Sequence, residues 1–355
     1  MPDGIDDDAR VSGGNVYDRR FGEALRARRL DIRMVRVAEG SPRDVAIALS
    51  GLPHDALVLV DGLLAVAASR VLVAHATRLR IVVLAHMVAS AMPGLERAAR
   101  ARIAEREREA LHAARRVIAT SESTRSELLA RGLASSADIV VARPGIDAVP
   151  AATGSTSGGH LLCVGAVAPH KGQDVLVHAL AGMADLPGWT CSIVGSLDLD
   201  PGYATRLADS IRSAGLADRV ALTGVLTGER LAAAYDGADL FVAPSRAESY
   251  GMAVAEAVAR GIPVVASRVG GLTEATEGST AAILVPANDP VSLRLPLRMW
   301  WSEPPRRAVL KAEAMRSRRT MPRRAWDDAA QVAAAALVGI APASGAPEHE
   351  RRSAG

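Results

Sequence analysis

Two glutamates separated by seven residues, Glu248 and Glu256, sit in the segment Val242 to Ala257. A short apolar run ends at Pro244, a loop carries Glu248, and a helix is expected to start near Gly251, with Glu256 in its second turn. The first N–H groups of a helix have no acceptor within it and lie at the positive end of its dipole. The backbone of Ser249, Tyr250, Gly251 and Met252 therefore suits an anion. A carboxylate beside an anion is unfavourable unless hydroxyl groups donate to it, so the pair points to a ligand bearing both phosphate and sugar hydroxyls. Taken alone, Glu256 reads equally as an ordinary helix-face glutamate. A second segment, Val164 to Gly172, follows an apolar run and precedes a helix, with Gly165 allowing close backbone approach and Lys171 offering a point charge. It is neither a P-loop nor a dinucleotide fingerprint, and alone it reads as an ordinary turn with a surface lysine. A third, Ser267 to Glu274, carries the pair Gly270-Gly271 after another apolar run.

Positioning these groups requires strands that end where the motifs begin. The chain has 355 residues, enough for about two domains. It is 49% hydrophobic but only 3% aromatic. Cores of Ala, Val and Leu favour helices on parallel sheets over a sandwich or barrel. Strands are expected at 33–37, 56–60, 80–85, 117–120 and 139–142, with helices at 17–30, 42–50, 62–74 and 95–114 between them. Such alternation implies an α/β fold with helices on both faces of a parallel sheet. Within 96–116, Glu105, Glu107 and Glu109 alternate with arginines and read as a solvated helix with surface ion pairs. Thr124 and Glu127 fit a capping box.

Residues 144–160 are rich in Gly, Ser, Thr, Pro and Ala and lose all periodicity. The domains expected are an N-terminal α/β domain over 1–147, a linker over 148–160 and a second α/β domain over 161–320. The helix over 321–340 is expected to pack back on the first domain, and the tail 341–355 to be disordered. In the second domain strands are expected at 161–165, 190–194, 220–223, 240–242, 263–266 and 282–285. Its helices are expected at 173–182, 202–214, 228–234, 252–260 and 290–300. Ser12-Gly13-Gly14-Asn15 opens the first helix. In an α/β nucleotide-binding domain such a loop follows a buried strand. Only eleven residues precede it, acidic and polar. Either the first strand or the true start lies outside this sequence, or the loop has another role.

A net charge of +3 is too small for a dedicated nucleic-acid binder, and no basic cluster is interleaved with stacking aromatics. It suits an anionic ligand or contact with an anionic membrane surface. Cys163 and Cys191 lie in strand-like runs and read as small buried hydrophobes. There is no disulfide framework and no zinc-type spacing. The absence of an apolar run of 18 residues or of a leader sequence gives a cytoplasmic expectation, peripheral at the inner membrane face at most.

In this order, the segments resemble retaining glycosyltransferase family 4, the glycosyl transferases group 1, whose fold is GT-B. The matching residues are Val164-Gly165 with Lys171-Gly172, Pro244-Ser245, the pair Glu248 and Glu256, Gly261-Ile262-Pro263-Val264-Val265, and Gly270-Gly271 with Glu274. Fainter matches are Gly13-Gly14-Asn15, His86, Thr120-Ser121 with Thr124-Arg125, and Pro144-Gly145-Ile146-Asp147. Each motif is weak alone; the ordered set is specific and covers most of the chain. The resemblance implies two Rossmann-like domains whose parallel sheets face each other across a cleft. By it, Lys171 neutralises the donor diphosphate, Glu256 accepts from ribose hydroxyls, Glu248 lies by the donor sugar with the Ser249–Met252 amides, and His86 faces that sugar. Gly13 and Gly14 lie near the diphosphate and acceptor. The family often has an arginine where this chain has Ala166, which leaves Arg246 as the expected second cation.

The implied activity is transfer of a hexosyl group from a UDP- or GDP-linked sugar to an unidentified acceptor hydroxyl. It proceeds with retention, without metal, cofactor or protein nucleophile, by positioning and electrostatic stabilisation of the leaving diphosphate. Two alternatives stay open: a sugar-nucleotide epimerase, which needs further acid/base residues in the cleft, and a non-catalytic nucleotide-sugar-binding subunit.

Overall fold

Strand–helix alternation builds two separate parallel sheets, in a computed structural model that describes residues 1–7, 11–320 and 324–340. The chain divides into two compact units. One holds Met1–Ile5, Asp18–Arg143 and the chain from Trp326; the other holds Asp6–Tyr17 and Pro144–Ala325.

In the first unit, α1 (Gly13–Ala27), whose opening residues count with the second unit, is followed by α2 (Pro42–Ser50), β1 (Leu57–Asp61), α3 (Gly62–Ala67) and α4 (Ser69–His75). Then come β2 (Arg80–Ala85), α5 (Arg97–Ala113), β3 (Arg116–Ala119), α6 (Glu122–Ala130) and β4 (Ile139–Val141). The sheet runs β1-β2-β3-β4, all parallel. β2 is buried on both faces, so Ile81 to Ala85 is one continuous apolar run.

Three expectations are corrected here. Residues 33–37 form no strand: their ladder is a single bridge between Val37 and Pro2, flanked by Met1 and Asp3. One bridged residue cannot sustain a strand. The helix expected over 62–74 is broken at Ala68 into α3 and α4. Glu107 is not on a solvated face. It is 3% exposed, and its carboxylate accepts from Ala89 N (2.7 Å), Ser90 N (3.2 Å) and Ser90 Oγ (2.6 Å), pinning the turn that follows β2.

In the second unit the order is β5 (His160–Val164), α7 (Gln173–Ala181), β6 (Thr190–Val194), α8 (Pro201–Ser213), β7 (Val220–Gly224), α9 (Gly228–Asp236) and β8 (Leu240–Ala243). α10 (Met252–Ala259), β9 (Val264–Ser267), α11 (Leu272–Ala275), β10 (Ala282–Val285), α12 (Pro290–Ser302) and α13 (Pro304–Thr320) follow. The sheet order is β10-β9-β8-β5-β6-β7. The chain winds outward from β5 to β7, then returns to place β8 on the other side of β5. That reversal between β5 and β8 is the switch point at which open α/β sheets hold ligands, beyond the strand C-termini. α13 was not anticipated as a helix; its many basic residues bury only Ala314 and Ser317. α14 (Trp326–Val338) belongs to the first unit, where Asp327 pairs with Arg28 at 2.7 Å. The tail 341–355 lies outside the described residues. Among the described residues no helix is long and apolar enough to cross a membrane.

The Gly/Ser-rich linker is tied down. Ala152 N donates to Arg260 O (2.9 Å), Gly154 N to Asp236 O (2.7 Å) and His160 N to Asp239 Oδ2 (2.9 Å). Ser155 Oγ also donates to the buried Asp239, whose Oδ1 pairs with Lys311 Nζ on α13 at 2.7 Å. Burial pushes the Asp239 carboxyl up, but the bonds from Lys311, Ser155 and His160 outweigh it and hold it below the ordinary value. Its stabilisation is therefore present above the usual aspartate range and lost as pH falls through the lower folded value. Asp239→Ala, which leaves these donors unpaired, is expected to cost about 3 kcal/mol in chemical denaturation at neutral pH, and less in acid.

Candidate active site

The loops after β5 and β8 meet at the switch point. Lys171 Nζ lies 2.6 Å from Glu248 Oε2, with the two side chains 23% and 16% exposed. Ser245 Oγ adds a longer bond to the same oxygen, at 3.4 Å. Gly165 lies under the lysine stem: a Cβ there would meet Lys171 Cδ and Cε at 3.6 Å. Two backbone features bring the loops together. Gly172 has φ +68°, and a Cβ on it would fall 2.2 Å from Pro244 O, so only glycine lets the β5 loop rest on the end of β8. Gly251, at φ +95°, is the N-cap of α10, and no side chain caps that helix. Its first-turn amides are thus available to an external anion.

The other residues expected at the site have the following contacts. Arg246, expected as a second cation for the diphosphate, is held by other groups here. Its guanidinium is engaged by Asp174 (2.8 and 2.6 Å), Pro169 O (2.7 Å) and Asn288 Oδ1 (2.8 Å). Nor does His170 fill the gap left by Ala166, since burial, with the Lys171 charge adding, pushes it down to about 4 and leaves it neutral. The Tyr250 ring is buried and its hydroxyl accepts from Arg324 at 2.9 Å. Ser249 and Met252 flank the α10 N-terminus as expected. Glu256 on α10 is held by Arg260, Nη2 to Oε1 at 2.9 Å, and the Arg260 guanidinium also lies over the Tyr235 ring. Gly13 and Gly14 open α1, where a Cβ on Gly13 would stand 3.8 Å from Met252 Sδ.

His86 belongs to the first unit, directly after β2. Its Nε2 lies 2.8 Å from Asp18 Oδ1 and 3.7 Å from Asp61 Oδ2, and both acids are buried. The sequence reading missed Asp18, Asp61, Asp174 and Arg260. Only Arg260 had a local signal, the i,i+4 spacing from Glu256; the others meet their partners across tens of residues, where spacing carries no information.

Two family models match in tandem. Residues 54–149 match Glycosyltransferase Family 4, and residues 158–295 match Glycosyl transferases group 1. This chain belongs to glycosyltransferase family 4. Its family 4 relatives include a D-inositol 3-phosphate glycosyltransferase of Kineococcus radiotolerans, 32% identical over 236 residues that make up 59% of this chain and 54% of the relative. One of the same name from Mycobacteroides abscessus is 41% identical over 35% of this chain and 28% of that one. The chain spans about half the length of the curated relatives it matches most extensively. Among solved structures, sucrose-phosphate synthase from Thermosynechococcus elongatus superposes with a TM-score of 0.73 at 21% identity, over 92% of both chains. Anabaena Alr3699/HepE in complex with UDP-glucose gives 0.73 at 18% identity, over 93% of this chain and 97% of that one. The fold is GT-B, as the family 4 resemblance implied.

Gly172→Ala tests the packing beneath the site. Forcing a Cβ against Pro244 O at a left-handed φ is expected to cost about 3 kcal/mol of stability, read as a drop in denaturation midpoint without a change in slope.

Proposed function

We propose that this protein transfers a hexosyl group from a nucleoside-diphosphate-sugar to an acceptor hydroxyl. The observation that carries the reading is the Lys171–Glu248 pair at the β5/β8 switch point, beside the uncapped start of α10. In the bound state the diphosphate replaces Glu248 as the partner of Lys171, with its oxygens on the α10 amides. Glu248, released, accepts from the hydroxyls of the donor sugar. Glu256, already oriented by Arg260, accepts from the ribose.

The chemistry asked of the protein is stabilisation of a leaving diphosphate by fixed charge and dipole. No nucleophile is assigned, so the acceptor attacks from the face the diphosphate leaves, with retention, and the leaving oxygen takes the acceptor proton. Lys171 and the α10 dipole do the work without a metal, and transfer is expected to persist in chelator. UDP is the first donor nucleotide to test, since Alr3699/HepE was solved with UDP-glucose. A phosphorylated polyol is the first acceptor, from the name of the D-inositol 3-phosphate relatives.

One observation favours a second reading, a subunit that binds nucleotide-sugar without turning it over. With Arg246 committed to Asp174 and His170 neutral, Lys171 has no second cation beside it among these expected partners. Release of UDP from UDP-glucose separates the readings, because a binding subunit releases none.

A thermal-shift panel of UDP, GDP, ADP and their sugars tests the site. At least one nucleotide is expected to raise the melting temperature of the wild type, and Lys171→Ala to weaken its affinity by about tenfold or more. No response to any nucleotide sinks the assignment.

A further inference from the structure

We propose that Arg246 is a positioning residue: it clasps the loop carrying Lys171 to the loop carrying Glu248, and nucleotide binding depends on that clasp rather than on the charge of Arg246. The proposal rests on the nucleotide-sugar reading above. Two residues before Glu248, Arg246 grips the segment 169–174 at both ends and in the middle. Its backbone N and that of Ala247 donate to His170 O, at 2.7 and 3.2 Å. Its Nη1 donates to Pro169 O at 2.7 Å. Nη1 and Nη2 also fork onto the two carboxylate oxygens of Asp174, at 2.8 and 2.6 Å, in the first turn of α7. Lys171 lies between these anchors. Nε reaches a third loop, donating to Asn288 Oδ1 at 2.8 Å between β10 and α12. Asp174 is itself held, its Oδ1 accepting from the Tyr203 hydroxyl of α8 at 2.7 Å.

As an ion pair the clasp contributes little, because the Arg246 and Asp174 side chains are 23% and 36% exposed and water screens their attraction. Its contribution is geometric. A guanidinium is a planar fork whose N–H groups point in fixed directions, so one side chain sets the spacing of three loops. Lysine has the charge without the fork. Lys171 ends a turn of only three residues, Pro169–Lys171, and Glu248 lies in the loop between β8 and α10, so no long element of its own fixes either. A site whose parts are already in place loses less freedom on binding, and affinity gains by that difference. The two roles open to Arg246 predict opposite signs. If its charge served the diphosphate, release from Asp174 would tighten nucleotide binding. If it serves as a clasp, the same release loosens the Lys171 loop and weakens binding.

The test measures nucleotide affinity by calorimetry, with UDP, or with GDP or ADP where that nucleotide is the one that stabilises the wild type. Asp174→Asn, which keeps shape and loses charge, is expected to weaken affinity by about fivefold or more. Arg246→Lys is expected to weaken it by a similar factor although it keeps the charge. In the Lys171→Ala background, Arg246→Lys is expected to cost less than about twofold further, because its effect runs through Lys171. A residue that only stabilised the fold would leave the affinity of the folded protein unchanged. Tighter or unchanged binding in Asp174→Asn, full affinity in Arg246→Lys, or additivity with Lys171→Ala overturns the proposal. Should these variants fail to fold, Tyr203→Phe, which removes only the hydroxyl bonded to Asp174, is expected to weaken binding by about threefold, and unchanged binding overturns the proposal equally. Absence of nucleotide binding by the wild type removes the nucleotide-sugar reading and the proposal with it. Binding that Lys171→Ala weakens and the Arg246 and Asp174 variants leave intact removes the proposal alone.

Discussion

A lysine and a glutamate 77 residues apart meet at 2.6 Å, and much of the second unit is arranged to make that contact possible. Lys171 arrives at the end of β5 and Glu248 at the end of β8. These strands are adjacent only because the chain reverses its winding after β7. A mostly buried ion pair of this sort is a poor source of stability, since desolvation of both groups offsets most of their attraction. It is a good way to hold a lysine side chain in one place. On the proposed function, a diphosphate, which carries more charge than a carboxylate and can accept from the α10 amides, is what displaces Glu248.

That arrangement was partly legible in the sequence. The parallel sheets could be read because β2, β5, β6, β8 and β9 are short apolar runs ending in glycine, proline or polar loops, a signal that survives without any knowledge of partners. The helix 42–50 was placed residue for residue, and no end of a strand that forms lies more than one position from its expected place. The segment 33–37 has the same composition as a strand but meets only the short segment Met1–Asp3, with a single bridge at Pro2, so its outcome depended on a neighbour rather than on its own residues. The linker looked flexible because Gly, Ser and Thr leave no periodic pattern. Its order comes from Asp236 and Asp239, more than 70 residues away.

The site was legible in its types and less so in its pairings. Glu248, Lys171 and the glycines could be singled out because each lies in a loop that follows an apolar run, but nothing local says that Lys171 will meet Glu248. The fate of Arg246 was not legible either, because nothing local says that Asp174 will take its charge. Glu107 shows the same limit in reverse: amid arginines it reads as a surface acid, yet the turn after β2 supplies three donors and draws it inward. Charge patterns report what a side chain can do, and tertiary partners decide which of those things it does.

The account stands most directly on where the diphosphate sits, and a crystal structure with UDP bound tests that. It predicts a phosphate oxygen within about 3 Å of Lys171 Nζ, further oxygens on the amides that open α10, and Glu248 swung away from the lysine. UDP bound elsewhere, with the Lys171–Glu248 contact intact, would contradict it.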